Sequence, residues 1–290
     1  MISEFGVNSM SGKLRKVAIR RPSAILSADN KEWNYSKPLN QEGLLNQYAH
    51  FVTLLEAAGA EILWFDDTDD ALADSIFTYD PSFMLGSGSV LLRPGKEKRL
   101  GEIDVHRRFY ERCGIPIIGE IESPGTLEGG DCFWLDEATL AVGKGFRSND
   151  AGISQLRDIV SAEGVEVIQF DLPFYKGPDA CLHLMSLVSP LDNDLALVFK
   201  PLLPDGLEEL MGDFGFDLIE ASESEFEESL GLSLNVLATE PRKVIAIHGF
   251  PETHRLMIES GCSVSLFNGD ELCIPCEGGP TCLTRPILRS

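Results

Sequence analysis

Asp131-Cys132-Phe133-Trp134-Leu135-Asp136-Glu137-Ala138-Thr139-Leu140-Ala141-Val142 reads as two apolar runs, 131–135 and 139–142, joined by a polar turn at 136–138. That arrangement predicts an antiparallel hairpin. Downstream, 149–162 carries Ile153, Leu156 and Ile159-Val160 at helical spacing, and Gly164 follows as a stop. Val165-Glu166-Val167-Ile168 then reads as a closing strand. The unit is strand, strand, helix, strand.

The same order recurs on both sides of this unit. Runs 184–189 and 195–199 flank the turn Asp192-Asn193-Asp194, with a helix near 205–212 and a strand near 216–219. Runs 233–238 and 244–247 flank Glu240-Pro241-Arg242, with a helix over 251–260 and a strand over 262–266. Upstream, 83–85 and 89–92 precede a helix over 99–113 and a strand over 115–118. The first and least regular unit has a strand at 16–19, a helix over 41–58 and a strand at 61–64. A doubly wound sheet would show strand and helix in plain alternation, without a hairpin in each unit. No glycine-rich dinucleotide fingerprint follows any strand either. Units that cannot cover their own apolar face must pack on neighbours, and five can close a ring. The expected fold is therefore α/β, one domain over 1–290, with functional groups aimed at the ring's centre.

Composition narrows the function. With 43% hydrophobic and 24% charged residues, the chain is balanced for a folded core rather than disorder. Its 24 basic and 46 acidic residues leave a net charge of −22, which argues against nucleic-acid binding and against an anionic membrane surface. No apolar run reaches membrane-spanning length, and Met1–Met10 contains none. Seven cysteines, odd in number and scattered among apolar neighbours, predict a reducing compartment, the cytoplasm, with mostly buried thiols. Cys132 and Cys181 read as core. A homodimer is left open.

Several residue groups carry candidate chemistry. Gly278-Gly279-Pro280-Thr281-Cys282 is a tight loop able to bring a thiol close to a ligand. Cys273-Ile274-Pro275-Cys276 has redox or zinc spacing, but no second pair accompanies it, and His248 and His254 complete no zinc module. No metal is expected. His50 and His106 fall on helices, whereas His183 stands at an element end, where an imidazole can serve as the proton partner of a thiol. Asp74 and Asp80 close a strand-like run, six residues apart and on one face if that run is extended. Glu128-Gly129-Gly130-Asp131 sets carboxylates around two glycines. Acids held together in a pocket point to a cationic, donor-rich ligand.

Glu128-Gly129-Gly130-Asp131, His183-Leu184-Met185-Ser186 and Gly278-Gly279-Pro280-Thr281-Cys282, in this order, resemble the guanidine-modifying (pentein) superfamily. The resemblance runs from Val17-Ala18-Ile19-Arg20-Arg21-Pro22 nearly to the end of the chain. It is closest to the dimethylarginine dimethylaminohydrolases through 74–81, 93–99 and Gly143-Lys144-Gly145-Phe146-Arg147-Ser148-Asn149. It implies a five-bladed propeller of ββαβ modules with pseudo-fivefold symmetry, no cofactor and a small cationic guanidino substrate. Carried over by residue, it makes Cys282 the nucleophile, His183 the general acid/base and Glu128 the group that holds the guanidinium and orients the site. Asp80 would bind guanidinium nitrogens, Asp74 the α-amine end, and Arg99 and Arg147 the carboxylate. The implied reaction yields citrulline and methylamine or dimethylamine from an Nω-methylated arginine. Arginine deiminase or another guanidino hydrolase is the alternative, followed by an amidinotransferase or a non-catalytic arginine-binding ring.

Two departures from the family pattern bear on the substrate. Tyr79 replaces a second acid beside Asp80, and Met185 stands two residues after His183, where the deiminases place an Asp. An apolar Met there is expected near substrate methyl groups. The tail 279–286 reads more like the deiminases.

Overall fold

The computed structural model describes residues 4–66, 71–177 and 182–290. Each hairpin read from the sequence becomes one edge and the middle strand of a three-stranded sheet, and the post-helical strand becomes the other edge. Cys132–Asp136 pairs antiparallel with Thr139–Lys144, which pairs parallel with Glu166–Asp171. Parallel neighbours need a crossover, and helix Asp150–Ser161 supplies it. Its start is fixed by Asn149, whose side chain accepts from the Gly152 amide. Gly164 leaves the helix at φ +74°, a conformation in which a Cβ would be strained.

Three further sheets repeat the plan. They are Ser82–Met84, Ser89–Leu91 and Ile117–Glu120; Val188–Pro190, Leu195–Val198 and Asp217–Glu220; and Leu237–Glu240, Lys243–Ile247 and Ser263–Phe267. In every sheet the middle strand is flanked by one antiparallel and one parallel partner. The architecture is the five-module ββαβ propeller expected from the sequence.

The fifth sheet explains why the first unit reads as irregular. Leu14–Ile19 takes its parallel partner, Glu61–Trp64, from nearby, across helix Gln41–Ala57. Its antiparallel partner is Arg285–Arg289, from the other end of the chain. This last strand closes the ring, and it is absent from the sequence reading. The middle strands are largely apolar because neighbouring elements cover both their faces: Leu195–Val198 is wholly buried, as are the first five residues of Thr139–Lys144.

Several boundaries move inward. Helix 99–113 begins at Glu102, after a 3₁₀ turn at Glu97–Arg99. The apolar runs 184–189 and 233–238 open as 3₁₀ turns, Leu184–Ser186 and Leu232–Leu234, before they extend. The strand-like run 74–80 is not extended: Ala73–Ile76 is a 3₁₀ turn, so the even-spacing argument for Asp74 and Asp80 fails. Both carboxylates are nevertheless buried against the same cavity. Cys132 is in the core, while Cys181 lies outside the described residues. Among the described residues, no helix is long and apolar enough to cross a membrane.

The turns have one shared consequence. Asp80, Glu128, His183, Asn235 and Cys282 each stand within five residues of the start of a different sheet's outer antiparallel strand. Five blades thereby present one polar side chain each at the same end of the ring.

Candidate active site

At that end opens a cavity of about 710 Å³, lined by Asp74, Asp80, Arg99, Arg147, His183 and Cys282. Glu128 is fully buried just behind them. All seven side chains singled out from the sequence are therefore in one place.

Glu128 is the hub. His183 Nε2 donates to its Oε2 at 2.6 Å, the Gly95 amide donates to Oε1 at 2.9 Å, and Arg147 Nη1 stands 3.3 Å from Oε1. Burial pushes this carboxyl up, but Arg147, the His183 hydrogen bond and Arg99 outweigh it and hold the group well below the usual carboxylate range. Glu128 is thus an anion. Ser148 Oγ accepts from the Glu128 amide and donates to Asp131, whose other oxygen accepts from the Leu184 amide at 2.9 Å. The Glu128 turn and the His183 turn are locked to one another through this buried acid.

The glycines around these acids are there for space. A Cβ on Gly130 would stand 2.6 Å from His183 Nδ1, and one on Gly129 would stand 2.3 Å from the Tyr79 carbonyl oxygen. Gly130→Ala must displace the imidazole. The expected result is a folded protein whose turnover falls about 100-fold, the scale of a misplaced reacting group. Steady-state rates beside a thermal melt check it, and unchanged turnover would show that the imidazole is not needed where it stands.

Asp80 accepts from the Gly130 amide at 3.0 Å and from Arg99 Nη1 at 2.6 Å. Arg99 also donates to both oxygens of Glu102 and to the Phe77 carbonyl, so four of its five N–H groups meet protein acceptors. The free carboxylate clamp expected of Arg99 is not what this geometry offers. Its fork fixes Asp80. Asp74 accepts from the Tyr35 hydroxyl at 2.8 Å and from Lys96 at 2.6 Å, and Lys96 lies over the Trp33 ring.

Cys282 Sγ accepts from Asn235 Nδ2 at 3.1 Å, while Asn235 Oδ1 takes the Thr281 amide at 3.0 Å. One amide therefore holds the loop and faces the sulfur, and a donor aimed at sulfur favours the thiolate. The two loop glycines again make room: a Cβ on Gly279 would strike the Asn235 side chain at 2.4 Å, and one on Gly278 the Phe77 ring at 2.3 Å. Cys276 also lines the cavity, but burial and Asp74 push its thiol up. Asn235, Lys96 and Tyr35 escaped the sequence reading; the repeated position before each outer strand is the signal that could have found Asn235.

Neither family departure faces this cavity. Tyr79 is buried with the Arg285 guanidinium 4.2 Å from its ring centroid, and Met185 packs in the core against a different cavity. Met185 is therefore no methyl contact, because the 3₁₀ turn Leu184–Ser186 sends it into the core instead of the cavity.

Asp80, Glu128 and His183 place donor atoms within 4.8 Å of one another, the single group of metal-like spacing found among the described residues. Both carboxylates are already answered by arginines, Asp80 by Arg99 and Glu128 by Arg147. The arrangement suits a flat organic cation that shares these acids better than a bare ion.

Two buried acids set a pH dependence of one sign: Asp131, and Glu102, which burial pushes up to about 7 against the pull of Arg99. Burial pushes Asp131 up to about 6, against the opposing pull of His183, Ser148 and the Leu184 amide. A raised carboxyl contributes stability that is full below its ordinary value of 3.8 and lost as pH climbs through about 6. Glu128, held below its ordinary 4.5, contributes stability that is present above that value and lost as pH falls. The Tm should therefore drop as pH rises from about 5 to about 7. Asp131→Asn, whose Oδ1 can still accept from the Leu184 amide while its Nδ2 donates to Ser148 Oγ, should reduce that slope in calorimetric melts and leave the Glu102 part; an undiminished slope would exclude Asp131 as a source.

Residues 16–289 match the family model described as N,N dimethylarginine dimethylhydrolase, eukaryotic. A dimethylarginine dimethylaminohydrolase of Streptomyces coelicolor is 33% identical over 189 residues, 65% of this chain and 69% of that one. An arginine deiminase of Rhodococcus erythropolis is 26% identical over 264 residues, 76% of this chain and 61% of that one. The Pseudomonas aeruginosa dimethylarginine dimethylaminohydrolase, solved with citrulline, superimposes with a TM-score of 0.74 at 22% identity, over 96% of this chain and 100% of that one.

Proposed function

The chain belongs to the N,N-dimethylarginine dimethylhydrolase family, and from that premise we propose that it hydrolyses the guanidino C–N bond of Nω-methylated arginine to citrulline and methylamine or dimethylamine. The observation that carries this reading is the 2.6 Å His183–Glu128 pair, with His183 opening onto the cavity that holds the Cys282 sulfur.

A guanidinium carbon is a poor electrophile because its charge is delocalised. Asp80 and Glu128 draw that charge toward the nitrogens they face and align the carbon. The Cys282 thiolate attacks, and a C–S bond forms. The C–N bond to the alkylamine then breaks as His183 gives the departing nitrogen a proton. The remaining thiouronium is attacked by water, whose proton returns to His183. The C–S bond breaks, the thiolate is restored and the ureido product leaves. Atoms balance as substrate plus water giving urea plus amine.

Arg99 acts as the positioning residue for Asp80. Arg147 faces the α-carboxylate and Asp74 the α-ammonium group. Arg147→Ala should raise KM for methylated arginine about 30-fold, the loss of a charge-assisted pair of about 2 kcal/mol. An otherwise identical substrate lacking the carboxylate should show much less difference between the two enzymes; an equal difference would place the carboxylate elsewhere.

Methylation is favoured by counting donors. An arginine guanidinium brings five N–H groups, and two methyls on one nitrogen leave three. The facing acceptors are already heavily used: Asp80 by Gly130 and Arg99, and Glu128 by Gly95 and His183. The methylated cation leaves fewer buried donors unpaired. Deimination of free arginine is the second reading, supported by the deiminase relatives and the deiminase-like 279–286 loop. Incubation with mono- and dimethylarginine, arginine and other guanidino compounds, scoring ureido product and released amine, tests both. Methylated arginines should exceed arginine in kcat/KM by at least about tenfold. Equal or better use of arginine, with ammonia released, would replace the first reading with the second.

A further inference from the structure

Behind the Cys282 loop lies a second, inner cavity of about 20 Å³, walled in part by Trp134, Arg285 and Arg289. Both arginines are buried, at 1% and 7% exposure. Arg285 Nη1 donates to the carbonyls of Tyr79 and Ser82, and Arg289 donates to the carbonyls of Gly12 and Ala238. All of these acceptors are neutral, and neither guanidinium pairs with a carboxylate among the described residues. Arg285 Nε and Trp134 Nε1 are buried with no hydrogen-bond partner at all. Burial, together with the Arg285 charge, pushes Arg289 down to about 10, although Tyr79 opposes this.

Two buried like charges and two unmet donors around one small void form a costly arrangement unless something negative occupies it. The chain has 46 acidic residues, yet Asp136, Glu137 and Asp192 line only the outer cavity beyond, not the inner one. We propose that the inner cavity is a binding site for a single halide-sized anion, chloride in ordinary salt, with the Trp134 indole and Arg285 Nε as donors and both guanidiniums as counter-charge. Size selects the occupant. The void is small, about 20 Å³, which favours a monatomic ion over phosphate, sulfate or carboxylates. Water would satisfy the donors and leave the charges unmet. The outer cavity, of about 390 Å³, shares Trp134 and Arg289 with the inner one and gives an approach from the surface.

The ion braces the catalytic loop from behind. Arg285 holds the Tyr79 carbonyl, and the Tyr79 amide donates to the Cys282 carbonyl at 3.2 Å.

The test uses the intact wild-type chain and is independent of its substrate. Moved from chloride-free gluconate buffer to about 0.1 M chloride or bromide at matched ionic strength, it should gain about 2–4 °C in Tm, saturably. Crystals soaked in bromide should show an anomalous peak in contact with Trp134 and Arg285. Trp134→Phe, which keeps the ring and loses the donor, should fold and lose most of the halide-specific gain. Equal Tm in gluconate and halide, or a bromide crystal with no anomalous peak in this cavity, overturns the site.

Discussion

Cys282→Ser should yield a folded ring that binds substrate and does not turn it over. The change replaces one small atom at a partly exposed loop position, so stability should stay within about 1 kcal/mol of the parent. Reactivity is another matter. A serine hydroxyl is almost entirely protonated where a thiol is partly ionised, and the Asn235 amide aimed at this position cannot close that gap. Turnover should fall by on the order of 10⁴-fold or more, the scale seen when a nucleophile is removed from a working constellation. Calorimetric titration of the variant with methylated arginine should still show binding. Wild-type turnover by the variant would remove Cys282 from the chemistry.

Glu128→Gln should be nearly as severe, for a different reason. Glu128 is fully buried and answers three groups: His183, Arg147 and the Gly95 amide. A neutral amide leaves the imidazole without an anion to orient and charge it, and leaves the substrate cation with Asp80 alone. Loss of an orienting carboxylate of this kind costs turnover about 10⁴-fold. Breaking a buried charge pair also destabilises, here by about 3 kcal/mol, so the melt should move as well. The two variants separate cleanly: Cys282→Ser keeps both stability and binding, while Glu128→Gln weakens both. A Glu128→Gln enzyme with near-normal kcat would show that His183 needs no anionic partner.

Much of this was legible in the chain because local signals agreed with the global fold. The 131–142 hairpin, the helix over 149–162 and the stop at Gly164 are each short-range features, and each is present to within a residue or two at its ends. Arg285–Arg289 was not legible because its meaning depends on a partner some 270 residues earlier, visible only when the ring closes. The 73–76 turn escaped because a 3₁₀ turn has no hydrophobic period of its own, and its alternating residues imitate a strand. In the site, Cys282 and Glu128 stood out through the glycines near them, which signal close approach, and His183 through its place at an element end. Asn235 did not, being a single amide in an apolar run. The role of Arg99 was misread because its partners, Asp80, Glu102 and the Phe77 carbonyl, converge only in three dimensions.

The most direct test of the central claim is to weigh the enzyme during turnover. Wild-type protein mixed with asymmetrically dimethylated arginine, quenched in acid and analysed by intact-mass and peptide mapping, should carry an added mass equal to substrate less dimethylamine. That addition should sit on the peptide containing Cys282 and be absent from Cys282→Ser. Steady turnover with no such addition, or with the addition on Cys276 instead, would contradict the account.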